Sequence, residues 1–273
     1  MKVDLHVHTN NSKDAIHDIK IILKKAKKVG LSAIAITDHN KLLSKKRAKD
    51  LSRQYEILII PGIEIGKLRF QKHILALNIK KLPDFKNTKE ILEVIEEENG
   101  LSIAPHPFSK IGFNNYKRYK FHAVEAKNGI NWLSNIRYKS QTKIPELANS
   151  DAHAAYMLGY TWTETEYAET IEQVLENIRK GKCKPCGRFV PNFLTLRLGL
   201  TLGFRCLVKK IKIIKKEGFG YEDTFYSNYR GIWTLARTKA IVKEIEKFGI
   251  DYTILTNKRS TDFLNSNNID SGK

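Results

Sequence analysis

An α/β fold, with enough strand and helix units to close a barrel, is predicted by three observations on this sequence. Short apolar runs alternate with amphipathic stretches from residue 1 to about residue 180, the pattern of parallel strands joined by covering helices. Histidines and carboxylates gather where those runs end, which is where α/β barrels carry their chemistry. After Arg188 the alternation gives way to a long basic amphipathic stretch. The chain therefore divides into a barrel over residues 1–187 and a basic, mainly helical extension over residues 188–273.

The elements follow in order. VDLHV alternates in period two and reads as a strand, and the Lys-rich stretch Ile16 to Val29 as the helix after it. SAIAITDH is the next strand and Ser44 to Gln54 a charged helix. ILIIPGIEI and HILALNI are two further strands before a helix from Asn87 to Glu98. LSIAPHP, HAVEAKN, a helix near Trp132 to Tyr138 and ELANSDAH continue the alternation. TWTETEY and a helix from Ala168 to Arg179 close the unit, with Gly181 to Gly187 as its terminal turn. In the extension, Arg197, Thr201, Arg205, Lys209, Lys212 and Lys216 fall at helical spacing on an otherwise apolar run, a basic stripe that predicts packing on the barrel, a membrane surface or nucleic acid. A second amphipathic helix is expected from Ile232 to Phe248, after the aromatic-rich segment with Tyr221, Phe225, Tyr226 and Tyr229, and the Asn/Ser-rich end after Phe263 as a frayed terminus.

Composition narrows the class. With 273 residues, 41% hydrophobic and 28% charged, the chain can bury a sizeable core, so disorder is excluded as the general state. The longest uncharged stretch of the extension, Leu198 to Phe204, is far short of the roughly 20 residues of a membrane span. No leader pattern opens the sequence, and Cys183, Cys186 and Cys206 are too few for a disulfide framework, which predicts a cytoplasmic chain. The net charge of +19 draws polyanions and anionic surfaces.

The stretch DLHVHT places His6 and His8 two residues apart, on one face of a strand. Two imidazoles from one strand can share a metal, but the remaining ligands must come from elsewhere. His39 ends ITDHN, His73 opens HILAL, His106 ends IAPHP and His153 ends NSDAH; Asp14, Glu64 and Asp151 stand at similar places. Asp38 is expected to orient a neighbouring histidine, while Glu125 and Asn128 end another strand within reach of a substrate. Lys110, Lys117 and Arg118, on the loop after APHPF, are candidates to grip a phosphate. His17 and His122 read as ordinary core or surface residues, and Cys183–Cys186 lacks the second pair of a zinc site.

DLHVHT, ITDHN, PGIEI, the HILAL histidine, APHP and SDAH, in that order, resemble the PHP family, named for its polymerase-associated and histidinol phosphatase members. The resemblance covers about the first two thirds of the chain. It implies a distorted (β/α)7 barrel with two to three divalent ions, Mn, Fe or Zn, at the C-terminal ends of the strands. His6, His8, Glu64 and Asp151 would hold the first, Glu64, His73 and His106 the second, and Asp14, His39 and His153 the third. Glu64, Asp151 and His153 are the expected catalytic residues, and Lys110, Lys117, Arg118 and Asn128 the expected substrate contacts. Three divalent ions against the three carboxylates leave about +3, a site for an anion. The implied activity is hydrolysis of a small phosphorylated metabolite or nucleotide, by hydroxide formed between metals roughly 3.5–4 Å apart. A nuclease trimming RNA or DNA ends is the alternative enzyme. A non-catalytic metal-containing module that binds nucleic acid or a membrane surface is the alternative of another class. No DNA polymerase module is recognisable in the sequence.

Overall fold

The computed structural model describes residues 1–66, 72–81, 87–138 and 144–216. The expected helix over Ile232–Phe248, the aromatic segment from Tyr221 to Tyr229 and the terminus after Phe263 lie outside the described residues, as do the side chains of Lys209, Lys212 and Lys216. The compact units are Met1–Thr195 and Leu196–Lys273.

The first unit is built on β1 (Lys2–Val7), β2 (Ala33–Ile36), β3 (Leu58–Ile65), β4 (Ile74–Leu77), β5 (Leu101–Ala104), β6 (Ala123–Asn128), β7 (Glu146–Asn149), β8 (Thr161–Thr165) and β9 (Cys183–Gly187). They form one sheet in the order β7-β6-β5-β4-β3-β2-β1-β8-β9. β1, β2 and β3 pair in parallel, as do β5, β6 and β7. Between the two sets β4 runs antiparallel to both β3 and β5, which is the distortion of the barrel. Gly181 to Gly187 is not a terminal turn: Cys183–Gly187 is a strand pairing antiparallel with β8. The edge position explains how it does so with Pro185 inside it, because an edge strand tolerates a missing N–H.

The helices are α1 (Ile19–Lys28), α2 (Lys45–Tyr55), α3 (Thr88–Glu97), α4 (Trp132–Arg137) and α5 (Ile171–Arg179). All five open on the capping residues that end such loops: Asp18, Ser44, Asn87, Asn131 and Thr170 each accept from a backbone N–H of the first turn. The Asp18 cap explains why α1 begins at Ile19 and not at Ile16. Inside the barrel Leu5, Ala35, Ile60, Leu75, Ile103 and Leu147 pack with Val174, Leu175 and Ile178 of α5. Arg179 of α5 donates to the carbonyls of Asn99 and Gly100 at 3.0 and 2.7 Å, in the turn that enters β5. α5 therefore covers the N-terminal end of the barrel, leaving the opposite end for the site.

The seam between β7 and β8 is joined by side chains instead of a ladder. The Thr163 hydroxyl accepts from the Ala148 N–H at 2.9 Å and donates to the Ala148 carbonyl at 2.8 Å. Nearby, Asn149 Oδ1 accepts from the Leu5 N–H at 3.0 Å, and Asp4 accepts from the Ser150 N–H at 3.1 Å. Past Gly187 the chain stays on this unit through Arg188 N–H to the Tyr160 carbonyl and Val190 N–H to the Gly129 carbonyl.

The basic amphipathic stretch is a single helix, α6 (Asn192–Lys216). In it Leu198, Thr201 and Phe204 are buried and Leu196 and Leu200 exposed. Among the described residues no helix is long and apolar enough to cross a membrane.

Because Thr163 and Ala148 are both fully buried, Thr163→Val strands a backbone donor and acceptor at the seam. We expect it to destabilise the protein by about 1–3 kcal/mol, read by urea denaturation, with Thr163→Ser losing less.

Candidate metal centre

The reversed strand decides which residues can meet. His6 and His8 lie at the C-terminal end of β1, Asp14 in the loop after it, His39 after β2, Glu64 near the end of β3, His106 after β5, and Asp151 and His153 after β7. His73 precedes its strand, yet β4 is antiparallel and pairs Ile74 with Ile65. The start of β4 thus lies at the same end of the barrel as the other eight residues.

Glu64 is at the middle of the cluster and only 1% exposed. Its Oε2 lies 3.4 Å from His6 Nε2, 3.2 Å from His8 Nε2 and 3.1 Å from His39 Nδ1. Its Oε1 lies 2.6 Å from His73 Nδ1 and 3.2 Å from His106 Nε2. On the other side Asp151 Oδ1 stands 3.3 Å from His6 Nε2, 3.4 Å from His8 Nε2 and 3.6 Å from His153 Nδ1. Asp14 Oδ2 faces His39 Nε2 at 3.2 Å and His153 Nε2 at 3.5 Å. Sets of three that could each hold an ion are His6, His8 and Asp151; His6, Glu64 and His106; His39, Glu64 and His73; and His8, His39 and His153. His39 thus turns one nitrogen to Glu64 and the other to Asp14, so the groups form one continuous cluster and not three separate ones.

Other residues hold these in place. Glu125, buried, meets His6 Nδ1 at 3.1 Å and accepts from the His106 N–H at 2.8 Å and from Asn149 Nδ2 at 3.0 Å. It fixes which nitrogen of His6 faces the cluster. Asn128, expected to touch substrate, is fully committed elsewhere. Its amide donates to Glu125 at 2.7 Å and to Asp151 at 3.0 Å, and its carbonyl accepts from Ile130 and Asn131. It thereby ties Asp151 to Glu125. Asp38 acts at one remove: it accepts from the Thr9 N–H at 2.7 Å and from Ser12 Oγ at 2.8 Å, and Ser12 Oγ meets His8 Nδ1 at 3.2 Å. His106 and Asp151 adopt the left-handed backbone, with φ of 29° and 52°, strain of the kind held at functional sites. At His106 the chain folds over itself so closely that a side chain at Gly112 would come within 2.1 Å of the His106 carbonyl.

The donor set fits divalent ions. His6 Nε2, His8 Nε2, Glu64 Oε2 and Asp14 Oδ1 are buried without a hydrogen-bond partner among the described residues, an arrangement that burial penalises unless something binds there. Two ligand atoms each roughly 2.0–2.2 Å from one ion stand roughly 3–3.5 Å apart, the spacing found here. Burial works against charge in every group, and the mutual attraction of imidazole and carboxylate overcomes it. Glu64 and Asp151 are held well below the usual carboxylate range, His39 and His106 are raised, and His153 is raised to about 9 by Asp14 and Asp151. Asp4 beneath the cluster goes the other way, pushed by burial to about 7.

Lys110, Lys117 and Arg118 are exposed. Lys110 follows Ser109, whose hydroxyl meets His106 Nδ1 at 2.9 Å, and the other two sit in a 3-10 turn, Tyr116–Arg118. His17 takes no part in the cluster and accepts from the Ala155 N–H. His122 lies at the other end of the barrel, between Ser102 and Glu96.

The chain matches the family model described as PHP domain over residues 4–183. An uncharacterised protein of Methanocaldococcus jannaschii is 36% identical over 121 residues, 41% of this chain and 70% of that protein. A PolC-type DNA polymerase III of Lactococcus lactis is 33% identical over 111 residues, 40% of this chain but 7% of the polymerase, so that likeness is to one segment of it. A solved two-domain protein of Bacteroides vulgatus, containing a predicted PHP-like metal-dependent phosphoesterase, shares the fold with a TM-score of 0.57 at 17% identity. The match covers 69% of this chain and 65% of that one, slightly less than two thirds of it.

Raised histidines carry protons that an ion must displace. Metal affinity is therefore expected to rise with pH through neutrality towards the value of about 9 for His153, and to fall as pH falls. Calorimetry in buffers of different ionisation enthalpy should show net proton release at pH 7, and a pH-independent affinity would contradict it.

Proposed function

The chain belongs to the PHP domain family, and we propose on that premise that it is a metal-dependent phosphoesterase hydrolysing a small phosphorylated metabolite or nucleotide. The observation that carries this reading is that His6 Nε2 and His8 Nε2, buried and without a hydrogen-bond partner among the described residues, both face the equally unpartnered Glu64 Oε2, at 3.4 and 3.2 Å. His6, His8, Asp14, His39, Glu64, His73, His106, Asp151 and His153 would hold two to three ions, Mn, Fe or Zn. Bound there, such ions lower the pKa of water and neutralise phosphoryl charge.

The protein's own part is to fix positions. Glu125 and Ser12 set the tautomers of His6 and His8, and Asn128 holds Asp151 in its left-handed turn. Glu64, whose two oxygens face five imidazoles, is the carboxylate that would contribute to holding more than one ion. Asp151 faces His6, His8 and His153 through Oδ1 alone, its Oδ2 being held by the Asn128 amide. These are the residues we assign to catalysis, together with His153, whose nitrogens face Asp151 and Asp14. The exposed cations Lys110, Lys117 and Arg118 would add to anion capture. A second reading, a nuclease acting on RNA or DNA ends, is favoured by the likeness to a segment of the Lactococcus polymerase and by the net charge of +19.

The test is metal analysis of the purified chain followed by phosphate release from phosphomonoesters, nucleotides and short oligonucleotides. We expect two to three ions per chain. Glu64→Gln should lose roughly 10²–10³-fold or more in kcat, whereas Lys110→Ala and Arg118→Ala should mainly raise KM. Equal losses in all three variants would count against this division of labour.

A further inference from the structure

A pocket of about 540 Å³ opens on the outer wall of the barrel, between the C-terminal half of α1 and the β8–β9 hairpin. Its size falls within the roughly 300–1,000 Å³ of small-molecule sites, and none of the nine residues of the metal centre lines it. Its polar lining consists of Lys25, Arg188, Tyr160 and Trp162, with no carboxylate among them. The guanidinium of Arg188 lies 5.6 Å from the Tyr160 ring centroid. Lys2 Nζ lies 4.0 Å from the Trp162 ring centroid while donating to the Val29 carbonyl at 3.1 Å, so Lys2 braces the ring from the barrel wall. Gly187 has φ +89°, and a Cβ there would come 2.2 Å from the Tyr160 carbonyl, so the hairpin can bring Arg188 beside Tyr160 only with glycine at this position.

Two cations free of lining carboxylates call for an anion, and two aromatic rings beside them call for a planar apolar group. We propose that the pocket binds a nucleotide unit, with its base stacked on Trp162 or Tyr160 and its phosphate held by Lys25 and Arg188. The lining has no Asn, Gln, Asp or Glu side chain to read a base edge, so recognition is of stacking surface and charge, indifferent to base identity. The unit is either a free nucleotide or a residue within a single strand. The inference stands on the pocket alone and does not rest on the hydrolytic reading of the metal centre.

The experiment is calorimetric titration of the full metal-loaded chain with AMP, UMP, adenosine, inorganic phosphate and a single-stranded oligothymidylate. It is repeated on Lys25→Ala, Arg188→Ala, Trp162→Leu and Trp162→Phe, with turnover of a small phosphomonoester measured alongside. AMP and UMP should bind alike and more tightly than phosphate or adenosine. Lys25→Ala, Arg188→Ala and Trp162→Leu should each weaken one nucleotide-binding event by about tenfold or more, and Trp162→Phe should keep it, which also controls for folding. An oligonucleotide bound more tightly than AMP, with affinity falling steeply as salt rises, assigns the strand as the source; equal affinity assigns the free nucleotide, and either upholds the proposal. Nucleotide affinity unchanged in all the variants would overturn it. So would phosphate binding as tightly as AMP with Trp162→Leu harmless, which would make the pocket an anion site only. Nucleotide binding lost from the pocket variants while no phosphomonoester is turned over would sink the hydrolytic reading and leave the pocket standing.

Discussion

A carboxylate buried away from water must be compensated, or it costs several kcal/mol, and Glu64 is the point at which this protein meets that requirement. It occupies β3, and the sheet order sets β2 and β4 on either side of it with β1 and β5 next beyond. The five imidazoles that reach it come from those four strands and no others: His6 and His8, His39, His73, and His106. The position of one acid in the sheet therefore dictates which strand ends must carry histidine, and on which side of each strand. Moving Glu64 by one residue would turn it to the other face of β3 and leave five rings without a common partner.

The same cluster also spans the seam at which the barrel closes without a continuous ladder. Among the described residues β7 has no ladder to β1; β1 meets β7 and the loop after it through Asn149 to Leu5, Ser150 to Asp4, a single backbone bridge in which the His8 N–H donates to the Ala152 carbonyl at 2.9 Å, and Asp151 facing His6 and His8. Structure and chemistry are not separable there. Glu125 belongs to both, because the carboxylate that fixes His6 also holds Asn149, whose own carbonyl oxygen closes the seam.

Much of this was legible from residue order alone. A histidine at the end of an apolar run is informative because parallel strands all deliver their ends to one rim, and His6, His8, His39, His106 and His153 obey that rule. His73, at the beginning of its run, breaks the rule, and only the reversal of β4 shows why it belongs; single-strand periodicity carries no sign of direction. The terminal strand was read as a turn because Gly181, Pro185 and Gly187 are turn residues, and their tolerance at an edge is a property of the neighbour, β8, and not of the segment. Asn128 and Glu125 could be placed near the site but not given a task, since a residue's partners depend on register across β6 and β7. The pocket beside Trp162 was invisible, because it joins residues from α1, β8 and β9 that have no pattern in common.

The cluster gathers groups from very different distances along the chain. Glu64 and His73 are 9 residues apart, Glu64 and His106 are 42, and His6 and Glu125 are 119. Closing a loop becomes entropically more demanding as it lengthens, so the hairpin pair can meet while most of the chain is still unordered, whereas the contacts of β1 with β6, β7 and β8 close the longest loops. A complete binding set thus exists only after the final strands have docked. Any ligand of the full cluster works as a latch on the finished chain, drawing down the population of partly assembled forms in which the seam is open.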